Sequence, residues 1–142
     1  MIVVDTSVVV QWVAPEDAER RAEVLLGRDD LAAPDVLLVE TANVLRKKAR
    51  DGDVTRDQAF EGMELVEANV KTLVPTSTLL LRAMQLAFEM NHPVYDCLFL
   101  ACAEMTGTVV LTRDRRLAQR AADHGHAGLV SLFPDEFRAE AP

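Results

Sequence analysis

Along this chain, short apolar runs alternate with longer stretches in which apolar residues recur every three or four positions. The first pattern reads as buried strand and the second as one face of a helix. "MIVVD" is then a buried strand ending in a carboxylate. "SVVVQWV" is rich in β-branched residues that favour strand, yet Asp5-Thr6-Ser7 supplies good N-cap types, so a short helix is predicted. "PEDAERRAEVLLGRDD" predicts a further helix, with acids early, Ala18, Ala22, Leu25 and Leu26 on one side, and Gly27 near its end. "LAAP" reads as a minor strand. A strong helix follows from Asp35 to about Arg50, with Pro34 ahead of it, a basic last turn and Gly52 as stop. Thr55 and Gln58 match a capping box for a helix reaching about Val70. "TLVP" is a strand, and "STLLLRAMQLAFEM" a helix broken by His92-Pro93. "VYDCLFLACAEM" is apolar almost all round and predicts a central, buried helix. Beyond Gly107 come the strand "TVVLT", the polar helix "RDRRLAQRAADHG" ended by Gly125, and a last strand, "GLVSLF".

Strands that alternate with helices predict an α/β fold: a three-layer α/β/α sandwich around a mainly parallel sheet of about five strands. In such sheets ligands bind at the carboxyl ends of strands, near the topological switch point. At 142 residues, with no internal repeat or linker, residues 1–142 read as one domain. The first apolar run is interrupted by Asp5 and lacks a basic leader, and no apolar stretch approaches a membrane span, so a cytoplasmic protein is expected. Cys97 and Cys102, five apart in one apolar run, fit neither a redox pair nor a zinc pair and are predicted to be small core residues. The formal net charge of −8 argues against nonspecific nucleic-acid binding by a generally basic surface. It is compatible with an acidic metal site beside a local basic patch, and with a basic partner.

Four acids stand in places that need explaining. Asp5 ends the first strand, and Asp114 follows "TVVLT" by one residue, so both fall at carboxyl ends of predicted parallel strands. Each also suits a helix N-cap. Asp96 stands in the first turn of the most apolar helix, where the dipole favours it but burial without a partner is expensive. Glu40 shares a helix face with Asn43, and Lys47 and Arg50 continue that polar stripe, while Val36, Leu37, Val44 and Leu45 supply apolar surface. A solvated helix face is the alternative reading there. If the four converge, each close pair repels by about 4 kcal/mol at ~4 Å and an effective dielectric near ~20. Such a cluster persists only by taking up protons or by binding cations. Oxygen ligands without a paired His or Cys point to Mg²⁺, with Mn²⁺ as a substitute, rather than zinc. "DHGH", with His124 and His126, is more simply a helix-ending turn. Magnesium held by carboxylates and waters is suited to phosphoryl chemistry.

Four motifs in order carry a resemblance that covers essentially the whole length: "VVDTS" at the start, "PDVLLVETANVL" in the third helix, "HPVYDCLFLACAE" late, and "VVLTRDRRL" after it. The chain resembles a PIN-domain ribonuclease, specifically the VapC-type toxin of a type II toxin–antitoxin pair. The resemblance implies a catalytic, metal-binding quartet of Asp5, Glu40, Asp96 and Asp114, with Asp5 and Asp96 most directly tied to Mg²⁺. Thr6, Ser7, Asn43 and Thr112 match polar positions that bind metal-held water or orient the acids. Some relatives carry a further acid shortly after the fourth; here Arg115, Arg116 and Leu117 occupy that stretch.

The reaction implied is endonucleolytic hydrolysis of RNA by metal-activated water, leaving 5′-phosphate and 3′-hydroxyl ends. The implied partners are a cognate VapB-like antitoxin that inserts a segment into the active-site groove, and a second copy of the chain. Arg113, Arg115 and Arg116, with Arg120, are candidates for RNA phosphate contact, since cations opening a helix are otherwise unfavourable. Arg46, Lys47, Lys48 and Arg50 could serve the same path, or complement the dipole of their helix. A receiver domain would need a second acid beside Asp5 and a late Lys, whereas Thr6-Ser7 stand there and no Lys follows Lys71. A haloacid-dehalogenase-like phosphatase would need an Asp where Ser7 stands. A PIN-fold module that binds RNA or protein without cleaving is the more serious alternative.

Overall fold

In the computed structural model, which describes residues 1–137, the apolar runs become five strands: β1 (Ile2–Val4), β2 (Leu31–Pro34), β3 (Thr72–Val74), β4 (Val110–Thr112) and β5 (Val130–Leu132). All neighbours pair parallel, in the order β3-β2-β1-β4-β5. Six α-helices accompany them: α1 (Thr6–Val9), α2 (Val36–Arg50), α3 (Arg56–Asn69), α4 (Thr76–Met90), α5 (Val94–Thr106) and α6 (Arg115–Asp123). The chain winds outward from β1 to β3, then crosses back to β4 on the other side of β1. Right-handed crossovers place α2 and α3 on one face of the sheet and α4 to α6 on the other, giving the predicted three layers. The order reverses between β1 and β4, which is where a ligand crevice is expected.

The buried helix is α5. Every residue from Cys97 to Ala103 is buried, and the helix packs on β1, β2 and β4, which accounts for an apolar sequence with no polar face. Both cysteines are free, and burial pushes each thiol up to about 11. Upstream, α4 ends in Asn91, whose left-handed φ of 49° turns the chain so that the His92 N–H bonds Ala87 O before Pro93. Leu80, Leu81, Met84 and Phe88 remain exposed on α4, an apolar stripe at helical spacing.

One predicted element is different. Residues 15–25 do not form an α-helix; only a 3₁₀ segment over Arg21–Leu25 is present. Arg20 takes a left-handed φ of 50°, and the indole N–H of buried Trp12 donates to Ala22 O at 2.8 Å. A segment pinned to the core at that carbonyl buries Ala22 and Leu25 and leaves Ala18 exposed. The three-residue repeat of a 3₁₀ turn stacks Ala22 over Leu25, which a 3.6-residue repeat would splay. The "SVVVQWV" helix is likewise short, passing from α1 into a 3₁₀ turn over Val10–Trp12. Among the described residues no helix is long and apolar enough to cross a membrane.

The capping box of α3 is formed as the sequence predicts. Gln58 N–H donates to Thr55 Oγ1 at 3.0 Å, and Thr55 N–H to Gln58 Oε1 at 2.8 Å. Thr55→Ala is expected to lower unfolding stability by about 1 kcal/mol and Thr55→Ser by much less, measured by urea titration.

Candidate active site

The pairing of β1 with β4 brings two strand ends together. Val4 faces Leu111, and the Asp5 N–H continues the ladder to Leu111 O at 3.0 Å, so Asp5 and Thr112 become neighbours at the carboxyl edge of the sheet. Asp5 is 8 % exposed. It occupies the N-cap position of α1, yet its side chain makes no capping bond. Its Oδ2 instead accepts from Ser7 Oγ at 2.9 Å and from Thr112 Oγ1 at 2.8 Å. Each hydroxyl is itself oriented by a backbone donor: Arg113 N–H gives to Ser7 Oγ at 3.0 Å and Asp114 N–H to Thr112 Oγ1 at 3.1 Å. Each hydroxyl can thus accept from a backbone N–H while donating to the carboxylate, and the two hydroxyl oxygens stand 3.4 Å apart.

The other three acids arrive from separate elements. Glu40, in the second turn of α2 and half-buried, accepts from Thr6 Oγ1 at 2.9 Å. Asp96 lies in the first turn of α5, its Oδ2 2.7 Å from Nε2 of buried His92. Among the described residues His92 Nδ1 faces no hydrogen-bond partner. Asp114 caps α6, its Oδ1 accepting from Arg116 N–H and Leu117 N–H. All four acids line one open cleft of about 650 Å³, together with Thr6, Ser7 and Asn43.

Of the basic residues singled out in the sequence, Lys48 and Arg113 line this cleft. Exposed Lys47 and Arg50 do not line the cleft, and Arg50 pairs with Asp51. Lys48 does, because it follows Glu40 and Val44 at four-residue steps and these share one helix face. Arg113 also lines the cleft, whereas Arg115, paired with Asp135, and exposed Arg116 do not. Gln11 and Glu16 complete the lining; neither stood out in the sequence, since Glu16 read as the acidic start of a helix that does not form. His126 pairs with Glu89 and exposed His124 ends α6, away from the cleft. A separate groove between α2 and α3, lined by Leu45, Ala49, Ala59, Phe60 and Met63 among others, is apolar and carries no acid.

Burial pushes the Asp5 carboxyl above its ordinary range, against the two hydroxyl bonds, and the charge of Asp96 adds to the rise. Glu40 is raised as well, by burial first, opposed by Thr6, with the charges of Asp5 and Asp96 adding. A cation in the cleft would relieve both. Among the described residues no group of three acidic, His or Cys side chains is placed to enclose an ion.

Known proteins resemble this chain over most of its length. The PIN domain family matches residues 2–123. The chain is 34% identical over 122 residues to "Ribonuclease VapC3" of Pyrobaculum aerophilum, covering 84% of this chain and 93% of that one. It is also similar to the crystal structure of PAE2754 from Pyrobaculum aerophilum, with a TM-score of 0.66 and 26% identity over 84% of this chain and 83% of that one.

The raised carboxyl of Asp5 sets a pH dependence. An acid whose folded pKa lies above its unfolded value binds more protons when folded, so stability falls as pH rises through that window. Without added metal, Asp5→Asn is therefore expected to raise Tm at neutral pH. The gain should shrink as pH falls through the folded pKa of Asp5, checked by thermal melts across a pH series in EDTA.

Proposed function

This chain belongs to the PIN-domain family, its match running over residues 2–123, and on that premise we propose that it is a divalent-metal-dependent endoribonuclease, the toxin of a VapC-type toxin–antitoxin pair. The supporting observation is that Asp5, Glu40, Asp96 and Asp114, from four different elements, line one cleft at the sheet's switch point. A scaffold has no use for a desolvated carboxylate fed by two oriented hydroxyls. The likeness to a protein named as a ribonuclease supports the same reading.

In this reading Asp5 and Asp96 hold Mg²⁺ or Mn²⁺, with Glu40 and Asp114 around them. When bound, such an ion supplies charge to the phosphoryl oxygens and lowers the pKa of a nearby water. Ser7 and Thr112 hold Asp5 in place, Thr6 holds Glu40, and Asn43 offers an amide to water or phosphate. Glu40 takes the proton of the attacking water. The new bond forms between water oxygen and phosphorus, the bond from phosphorus to the 3′ oxygen breaks, and that oxygen is protonated as it leaves. The ends produced are 5′-phosphate and 3′-hydroxyl. Arg113 stands in the cleft to meet the RNA backbone, while Arg115 and Arg116 lie further along its path.

The antitoxin is proposed to place a basic residue among the four acids, where it would compete with the metal. A second copy of the chain is proposed to cover the apolar stripe of α4; Phe88→Asp is then expected to reduce the mass in solution to that of one chain, measured by light scattering.

The purified protein, freed of antitoxin and incubated with total RNA and Mg²⁺ or Mn²⁺, should give discrete cuts on mapping of 5′ ends. EDTA, Asp5→Asn and Asp96→Asn should each abolish them. Metal should raise the Tm of the wild type and leave that of Asp5→Asn unchanged. Cleavage by Asp5→Asn at the wild-type rate would falsify the assignment.

A further inference from the structure

The two cations of the cleft are held by a carboxylate outside the quartet. Glu16 Oε2 lies 3.4 Å from Arg113 Nη1, and its Oε1 lies 3.8 Å from Lys48 Nζ, so each oxygen faces one cation. Among the described residues neither cation forms another ion pair. The Lys48 and Arg113 side chains are only 21% and 29% exposed, whereas that of Glu16 is 60% exposed. The Glu16 backbone is nevertheless fixed, its N–H donating to Oε1 of buried Gln11 at 2.9 Å. A fixed backbone with an open side chain lets the carboxylate swing out while its segment stays in place.

Lys48 sits two helical turns beyond Glu40, and Arg113 immediately precedes Asp114, so both cations share elements with the acids. Both cations line the same cleft as the four acids, and the carboxylate they pair with is that of Glu16. Glu16 holds them loosely: both separations exceed the roughly 2.7–2.9 Å of a close charge-assisted hydrogen bond. Glu16 and Lys48 also line a neighbouring cavity of about 390 Å³, so they stand between it and the cleft.

We propose that Lys48 and Arg113 form a phosphate subsite for the RNA strand, and that Glu16 fills it in the free protein as a stand-in for the phosphodiester. The proposal rests on the ribonuclease reading above. One singly charged anion replaces another, so the charge balance of the cleft is kept while the phosphate oxygens satisfy the cations more closely. The subsite gives the strand a direction, from the four acids across the Lys48–Glu16 wall into the second cavity.

The test is fluorescence anisotropy with a labelled single-stranded RNA over a salt series, in an Asp96→Asn background so that the strand stays intact. Glu16→Gln is expected to bind about fivefold tighter, with a steeper salt dependence because no carboxylate takes up a salt cation on displacement. Lys48→Gln with Arg113→Gln should weaken binding, and in that background Glu16→Gln should have no further effect. A Glu16→Gln protein that binds no tighter overturns the subsite, as does a gain that persists without the two cations, which would make Glu16 a source of general repulsion only. Failure of every variant to bind RNA would overturn the ribonuclease reading with it, whereas ordinary binding unaffected by Glu16→Gln would overturn the subsite alone.

Discussion

Covering the Asp5 carboxyl while giving it hydrogen-bond partners is the constraint around which this molecule is arranged. A buried carboxylate without partners is costly, and here one partner is local and the other comes from the far end of the sequence. Ser7 is two residues along the chain, but Thr112 reaches Asp5 only because β1 pairs with β4 in a register that sets Val4 against Leu111. A slip of one residue would turn Thr112 to the opposite face and leave the carboxylate without that donor. The backbone N–H groups of Arg113 and Asp114 then orient the hydroxyls, so the turn leaving β4 belongs to the same network. Strand register, loop and helix α1 are thus tied to one oxygen atom.

What the sequence made legible follows from this arrangement. The edge strands β3 and β5 are only partly covered, whereas the inner strands β1, β2 and β4 were visible because they are largely buried and read as apolar runs. Helix α5 was visible for the same reason, and α3 because its capping box is a local motif. The motifs around the four acids were visible because each couples a strand end or helix start to a polar residue. Their meeting in one cleft is a property of topology, in which β4 returns to the side of β1 after more than half the chain has intervened, and no local pattern carries that.

The misreadings share a physical origin. The segment "PEDAERRAEVLLG" has good helical composition, but the Trp12 indole captures Ala22 O and Arg20 turns left-handed, so tertiary contact overrides propensity. The displacement of Glu16 from an imagined helix start to the cleft rim follows directly. On α2 the polar stripe was drawn through Lys47 and Arg50. Four-residue steps from Glu40 pass through Lys48 instead, and the intervening Val44 disguised them as apolar surface. Arg115 and Arg116 carry a charge that is unfavourable at a helix start, and in the fold Arg115 meets Asp135, from the chain beyond β5.

The cysteines of α5 have a consequence outside catalysis. Thiolates, not thiols, react, and both groups are covered and held protonated well above neutrality. Since α5 rests on β1, β2 and β4, uncovering either sulfur means parting helix from sheet. The chain therefore carries its own covalent recorder: each alkylated cysteine marks one excursion in which the core came apart, and the pace of labelling keeps time with those openings.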